Sequence, residues 1–513
     1  MKSIAIIGGG FSGESMAANL ISRARKAKMP LRIHLFDPQR IAGGAVFSTS
    51  LPDIYRLNHE SGNMGVVNPY DTAADKDDFF NWLQQNLETQ VGHGGSATIT
   101  QRYAQFDLTN KGAYLPRSLY GLYLERRFQE MLALSKTGEA ELMHICSTVT
   151  SVERGTKGWI VSSDDGTASY DAVVLSTGYY YGRDTHGYRL LKSQFPDTYL
   201  HNKNILQSSD IAILGTSLSA IEAALALAEK GHRHVVLYSR GGRLPKVRAH
   251  FERREPPFSV EKLQAMCDED GYIPEQELRE ALHKLFDDAY AGTSDGLYQA
   301  EGINWETVLQ NREPVAQLQE DIARAKSGRE LRWRSALISL YTLQIPMWDR
   351  LSVADKKQLL GKYSPLFLTY LAPMPLPQAE LLQKYLAKGV IEVRAGMRDF
   401  SQDGAQFVVQ CTDGTVERYP YLIDARGPSK DVTPTPLLRH LLQEGILAPH
   451  PLAGIAIESS TYQARSPQGT AHPGLYAIGP MIYGARPLQT STIFFTEFAR
   501  TAAAHLFASG ILQ

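Results

Sequence analysis

Gly8, Gly10 and Gly13 stand at Gly-x-Gly-x-x-Gly spacing directly after the apolar run Ser3–Ile7 and before a stretch with helical periodicity. In that context each glycine has a separate task. The first allows a tight turn, the second lets the backbone approach a pyrophosphate, and the third lets the helix pack closely on the strand. The helix N-terminus then points its free N–H groups at the phosphates. Asp37 closes the next apolar stretch, Leu31–Phe36, where a carboxylate accepts a hydrogen bond from an adenosine ribose hydroxyl. It comes 29 positions after Gly8, against ~20 in the usual pattern, so a lengthened helix must intervene.

The geometry recurs at Gly215-x-Ser217-x-x-Ala220, after Ile211–Leu214. Serine and alanine are small enough to stand in for the second and third glycines. The strand that follows ends at Tyr238-Ser239-Arg240 rather than at an acid. A guanidinium there suits the 2′-phosphate of NADPH, whereas an acid would suit NADH. Arg243 and Lys246 stand close enough in sequence to assist. The expectation is FAD at the first fingerprint and NADPH at the second, with NADH as the alternative.

Cys146, Cys267 and Cys411 lie far apart. That spacing argues against a disulfide framework, a zinc site built on paired thiolates, or a redox-active cysteine pair, and no metal site is expected. The chain carries 53 Lys+Arg against 54 Asp+Glu, so no global field gathers nucleic acid or an anionic membrane. The apolar start breaks at once into Gly8-Gly9-Gly10, which does not read as a signal peptide, and no window of about 18 apolar residues suggests a membrane span. A cytoplasmic protein is expected.

The elements that must position these residues alternate as strand and helix. Residues 3–7 read as a buried strand, 12–26 as a helix and 31–36 as a strand. A polar stretch from Ala42 to Pro69 reads as an extended loop, with helices resuming at Asp77–Leu83 and Pro116–Leu134. The run Ala172–Leu175 stops at Ser176-Thr177-Gly178, and strands at 210–214 and 234–238 flank a helix over 217–230. Charged helical stretches prevail from about 245 to 390, strands return at 391–395 and 407–411, and a last helix covers about 491–507. At 513 residues two or three domains are expected. The fold class is α/β, with two Rossmann-like dinucleotide-binding domains and a helical insertion. The FAD domain is discontinuous, over 1–180 and 391–513. The NAD(P)-binding βαβ core takes 205–250, and a helical substrate domain or lid takes 251–390.

Four segments together resemble the two-dinucleotide-binding flavoprotein superfamily, and more narrowly the bacterial FAD/NAD(P)-binding group that includes the FAD-dependent urate hydroxylase family. They are Ile6–Gly13, with Phe11 and Ser12 inside the fingerprint; Leu57-Asn58-His59 with Met64; Pro116–Leu124; and Gly474–Pro480. The resemblance covers nearly the whole chain apart from roughly 250–380. It implies that Ser176-Thr177-Gly178 and Asp424–Gly427 are crossings between cofactor domains, and that Gly479-Pro480 lies over the FAD pyrophosphate where many relatives carry Gly-Asp. It further implies that Asn58, His59 and Met64 lie near the isoalloxazine, with His59 either a proton relay or a histidine that only packs or hydrogen-bonds, and that a helix from Ser491-Thr492 points its positive end at the flavin. Arg117 is placed on phosphate, on a substrate carboxylate or, equally, on loop carbonyls.

The implied activity is an NAD(P)H-oxidising monooxygenase that uses O2 to hydroxylate a small polar N-containing substrate. Two alternatives stand beside it: an NAD(P)H dehydrogenase passing electrons to a quinone or other organic acceptor, and a non-catalytic FAD-binding regulatory protein. Tyr179–Tyr181, Arg332, Trp333, Arg334 and Trp348 are further candidates for lining a substrate channel or, equally, for forming a core edge.

Overall fold

The computed structural model describes residues 1–39, 43–66, 77–91, 97–136, 140–178, 190–193, 196–203, 205–252, 254–290, 298–299, 302–303, 313–427, 429–487 and 489–512. Two compact units result: Met1–Gly182 with Pro428–Gln513, and Arg183–Gly427.

The first unit is built on a six-stranded sheet. Its strands run, in spatial order, Gln463–Arg465, Ala471–Ala477, Ala172–Leu175, Lys2–Ile7, Leu31–Phe36 and Ala140–Ile145. All neighbours are parallel except the first pair. The central strands Ile4–Ile7 and Ala172–Leu175 are continuous apolar runs, at most 5% exposed, because helices and loops cover both faces of a parallel sheet. Helix Phe11–Ala27 leaves the first strand and packs on the closing helix Thr492–Ala508. An antiparallel meander, Val149–Arg154, Trp159–Ser163 and Gly166–Tyr170, bridges the outer strand to the central one.

The second unit repeats this plan on five parallel strands, in the order Leu190–Lys192, Tyr421–Asp424, Ile211–Leu214, Val235–Tyr238 and Ile391–Arg394. Its fingerprint helix is Leu218–Glu229, and its meander is Met397–Asp403, Gln406–Cys411 and Val416–Tyr419. The hydrogen bonds match one for one. Gly8 N donates to Phe36 O and Gly215 N to Tyr238 O; Asp37 N donates to Ile145 O and Ser239 N to Arg394 O; Ser176 N donates to Ile7 O and Ala425 N to Leu214 O.

That repetition corrects the expected domain boundary. Residues 391–427 had been assigned to the FAD domain, but Ile391–Arg394 pairs with Val235–Tyr238, and Tyr421–Asp424 pairs with Ile211–Leu214. A 205–250 core would leave the strand Ile211–Leu214 without its inner neighbour, Tyr421–Asp424. The helices between 251 and 390 enter the sequence between Val235–Tyr238 and Ile391–Arg394, the third and fourth strands of this sheet in chain order. They are Val260–Ala265, Glu275–Tyr290, Pro314–Lys326, Arg332–Ser339, Gln344–Asp349, Val353–Leu371 and Leu376–Ala387. The expected helices elsewhere appear at Asp78–Asn86 and Arg117–Ser135, and the 42–69 loop contains short turns at Gly44–Phe47 and Ser61–Asn63. No helix among the described residues is long and apolar enough to cross a membrane.

Candidate functional site

In the first unit the three fingerprint glycines separate cleanly by what surrounds them. A Cβ on Gly8, whose φ is +108°, would lie 2.3 Å from the Ser176 carbonyl oxygen. One on Gly13 would lie 2.0 Å from the Gly8 carbonyl oxygen. The chain's own backbone therefore requires both. Gly10 differs: φ is −75°, and nothing lies within 4 Å of where its Cβ would be. Neither fold nor backbone demands glycine there, which is the condition expected where a ligand backs onto the chain.

Gly10 is also the N-cap of Phe11–Ala27 and makes no side-chain cap hydrogen bond, so the helix offers its first N–H groups to an anion. Phe11 and Ser12 are each 7% exposed; Phe11 packs edge-on to Phe47, with ring centroids 6.0 Å apart. Asp37 is half-buried and braces the turn, its Oδ2 accepting from Gly9 N at 2.8 Å. Ser176, which the sequence pattern had only marked as part of a crossing, donates from Oγ to the carbonyls of Ile7 and Gly8 at 3.1 and 2.9 Å. Only the parallel pairing of the strands makes that role visible.

The C-terminal part of this unit returns to the same turn. Gly479 takes φ +83°, and its Cβ would lie 2.8 Å from Ser12 Oγ, so glycine is needed for the close approach. Pro480 opens a short turn and lines one crevice with Gly178, Lys430, Leu438 and Met481. Thr177 keeps a buried Oγ1 with no partner among the described residues. The closing helix starts at Thr492, its cap Ser491 making no side-chain hydrogen bond, and Thr492 Oγ1 lies 3.7 Å from the sulfur of Met64. Met64 is thus brought to a second uncapped helix N-terminus. Asn58 and His59 sit half-buried on the loop that leads to it.

The Pro116–Leu124 motif serves packing. A Cβ on Gly121 would fall within 1.8 Å of the Phe47 carbonyl oxygen, and Tyr120 makes T-shaped contacts with Phe47 and Phe79 at 5.0 Å. Arg117 donates from Nε to the Arg56 carbonyl at 3.1 Å, the loop-tying role among those expected of it.

In the second unit Gly215 has φ +122°, and its Cβ would lie 2.7 Å from the Ala425 carbonyl oxygen. Ser217 caps Leu218–Glu229 without a side-chain hydrogen bond, and Ala220 is fully buried against the sheet. Ser239 occupies the place that Asp37 holds in the first unit. Its Oγ accepts from Thr216 Oγ1 at 3.1 Å and from Gly242 N at 2.9 Å, so it secures a turn without adding charge. Arg240 follows it, exposed, with no ion-pair partner among the described residues. Lys246 does not join it, because its ammonium pairs with Asp321 at 3.2 Å. Arg332 donates to the Ala289 carbonyl and Arg334 is 6% exposed beside Phe251, while Trp348 is also 6% exposed; these three behave as core edge. Tyr179–Tyr181 and the Trp333 side chain lie outside the described residues.

Asp424 anchors the strand end beside Gly215. It is held by Lys192 at 2.8 Å and Arg426 at 2.9 Å. Burial acts to raise its pKa, but the hydrogen bonds and charges of Arg426 and Lys192 prevail and hold it at about 2. A depressed carboxylate pKa contributes stability above its unfolded value of ~3.9, and that contribution is lost as pH falls toward about 2. Asp424→Asn is therefore expected to cost on the order of 2 kcal/mol near neutral pH. Thermal melts of both proteins should converge as pH drops below about 3; a gap that stays constant there would contradict the assignment.

The family model described as FAD-NAD(P)-binding matches residues 5–180, and that described as pyridine nucleotide-disulphide oxidoreductase matches residues 139–280. An uncharacterized protein of Escherichia coli (strain K12), YdhS, is 23% identical over 497 residues, covering 86% of this chain and 87% of its own. Among solved structures, L-lysine 6-monooxygenase from Pseudomonas syringae is similar at TM-score 0.58 and 13% identity, with 99% of this chain and all of that chain covered. The ornithine N-hydroxylase of Kutzneria sp. 744 gives TM-score 0.55 and 13% identity, with 99% of each chain covered. Ornithine hydroxylase from Pseudomonas aeruginosa gives 0.53 and 16%, also with 99% of each covered. With two fingerprint turns on twin parallel sheets and these matches, the chain is an FAD- and NAD(P)-binding flavoprotein of the two-dinucleotide-binding type.

Proposed function

We propose that this protein is an NADPH-oxidising, FAD-dependent monooxygenase that hydroxylates the nitrogen of a small polar amine. The observation that carries the reading is the pair of uncapped fingerprint helices in one chain. Gly10 leaves room for one dinucleotide, and Ser217 with Arg240 suits a second that bears a 2′-phosphate. A protein that only stored FAD would have no use for the second.

FAD, held by Gly10 and the helix Phe11–Ala27, supplies two-electron chemistry between a nicotinamide and O2. The chain's own residues bind and orient. Asp37 keeps the first turn closed, the N-terminus of Thr492–Ala508 provides positive potential beside Met64, and Arg240 selects the nicotinamide donor. Cys146, Cys267 and Cys411 lie far apart in the sequence and form no short-spaced redox pair, which speaks against the disulfide-reducing branch of such proteins. The similarity to lysine and ornithine hydroxylases supports an amine as substrate.

The test is anaerobic reduction of the FAD-loaded protein by NADPH, followed by oxygen uptake in the presence of candidate substrates. Flavin bleaching by NADPH, with oxygen consumption matched to a hydroxylamine product, is the expected result. A purine-type heterocycle, the substrate class of the urate hydroxylase family that the motifs resemble, forms the second substrate arm. Bleaching that is discharged only by a quinone would replace this reading with the reductase one.

A further inference from the structure

Helix Phe11–Ala27 carries a group that nothing in the proposed chemistry uses. Glu14 sits in its first turn, is 0% exposed, and neither carboxyl oxygen meets a hydrogen-bond partner at close geometry among the described residues. A buried carboxylate without a counter-ion is costly enough that such a group stays protonated instead. Among the described residues, no cation pairs with it. The titratable groups facing Glu14 are Glu125 and Tyr120, both from helix Arg117–Ser135. On the other elements packed against its helix, Arg32 pairs with Glu141, and Arg500 with Glu497. Burial, with the nearby Glu125 charge, holds the carboxyl well above the ordinary carboxylate range, against the pull of one backbone N–H.

That N–H belongs to Gly43. Gly43 and Gly44 take φ of +73° and +57° and form a turn that enters Gly44–Phe47. Gly43 is pressed onto helix Arg117–Ser135, since its Cβ would lie 3.3 Å from Leu124 Cδ1. A Cβ on Gly44 would lie 3.7 Å from Gly10 Cα, so the turn stands beside the glycine that leaves room for pyrophosphate.

We propose that Glu14 is a positioning residue for FAD: as a neutral acid it seats the Gly43–Gly44 turn beside Gly10 without placing a negative charge next to the cofactor's pyrophosphate. The proposal rests on FAD occupying the first fingerprint. A helix N-terminus offers only about half a positive charge. An ionised Glu14 in the first turn would compete with the diphosphate for it. Protonation of Glu14 and FAD binding are therefore linked, and FAD affinity falls as pH rises through the titration of Glu14.

The experiment is titration of the apoprotein with FAD, followed by quenching of flavin fluorescence, across pH for the wild type, Glu14→Gln and Glu14→Ala. Thermal melts of each apoprotein report folding separately. Glu14→Gln, the neutral isostere, is expected to bind within about threefold of wild type near neutral pH and to lose the alkaline weakening. Glu14→Ala leaves the turn unsupported and is expected to bind about tenfold more weakly. Wild-type affinity for Glu14→Ala, or pH profiles that run parallel in wild type and Glu14→Gln, would overturn the proposal. A wild-type protein that binds no FAD at any pH would instead overturn the cofactor assignment on which it rests.

Discussion

Gly10→Val is expected to give a folded protein that purifies without flavin. Its backbone angles, φ −75° and ψ −174°, are ordinary for any residue, and no protein atom lies within 4 Å of the new Cβ. The new Cβ therefore clashes with nothing among the described residues. It fills the space through which the first turn of Phe11–Ala27 can reach a phosphate, and removes close approach where the N–H groups act. FAD affinity should fall by about a hundredfold or more, near 3 kcal/mol. Flavin absorbance on purification and an FAD titration read the effect, with a thermal melt as the control. Gly8→Ala and Gly13→Ala should behave differently. Their Cβ atoms would meet carbonyl oxygens at 2.3 and 2.0 Å, so destabilisation of about 2 kcal/mol or more should precede any question of binding. A Gly10→Val protein that retains full flavin would show that the pyrophosphate lies elsewhere.

The second large effect concerns the nicotinamide donor. Arg240→Ala is expected to weaken NADPH by about ten- to a hundredfold while leaving NADH nearly unchanged, because a charged hydrogen bond to phosphate contributes ~1.5–3 kcal/mol. Adding Ser239→Asp should then invert the preference. Ser239 stands where Asp37 stands in the first unit, each donating its N–H to the end of the neighbouring outer strand. A carboxylate there would accept from a ribose hydroxyl and repel a 2′-phosphate. Rates of anaerobic flavin reduction against each nucleotide measure the switch. If NADPH and NADH suffer equally in Arg240→Ala, the guanidinium does not read the 2′-phosphate.

Both fingerprints were legible from residue types because their requirements are local. A glycine at φ +108° or +122° before a helix is dictated by the turn itself, and the apolar runs before it announce a buried parallel strand. The helix ends at Ala27 and Ala508 also fall within a residue or so of where periodicity puts them. The side of the molecule to which 391–427 belongs was not legible. Strands Ile391–Arg394 and Tyr421–Asp424 carry apolar patterns that fit either sheet, and membership follows from pairing with residues more than 150 positions away. Nor could spacing show that Lys246 is occupied by Asp321, since that partner comes from a helix 75 residues on.

What the sequence determined by itself is therefore the chemistry of the two turns: which residues expose backbone N–H groups, where a carboxylate or guanidinium follows, and which strands are buried on both faces. These are short-range consequences of φ, side-chain size and charge. The tertiary structure alone decided which carbonyl crowds each glycine, which cations are spent on internal pairs, and that Glu14, a surface-type residue by composition, is sealed without a counter-ion among the described residues. Those properties arise where distant segments meet, and burial at such meetings changes what a charged group is able to do.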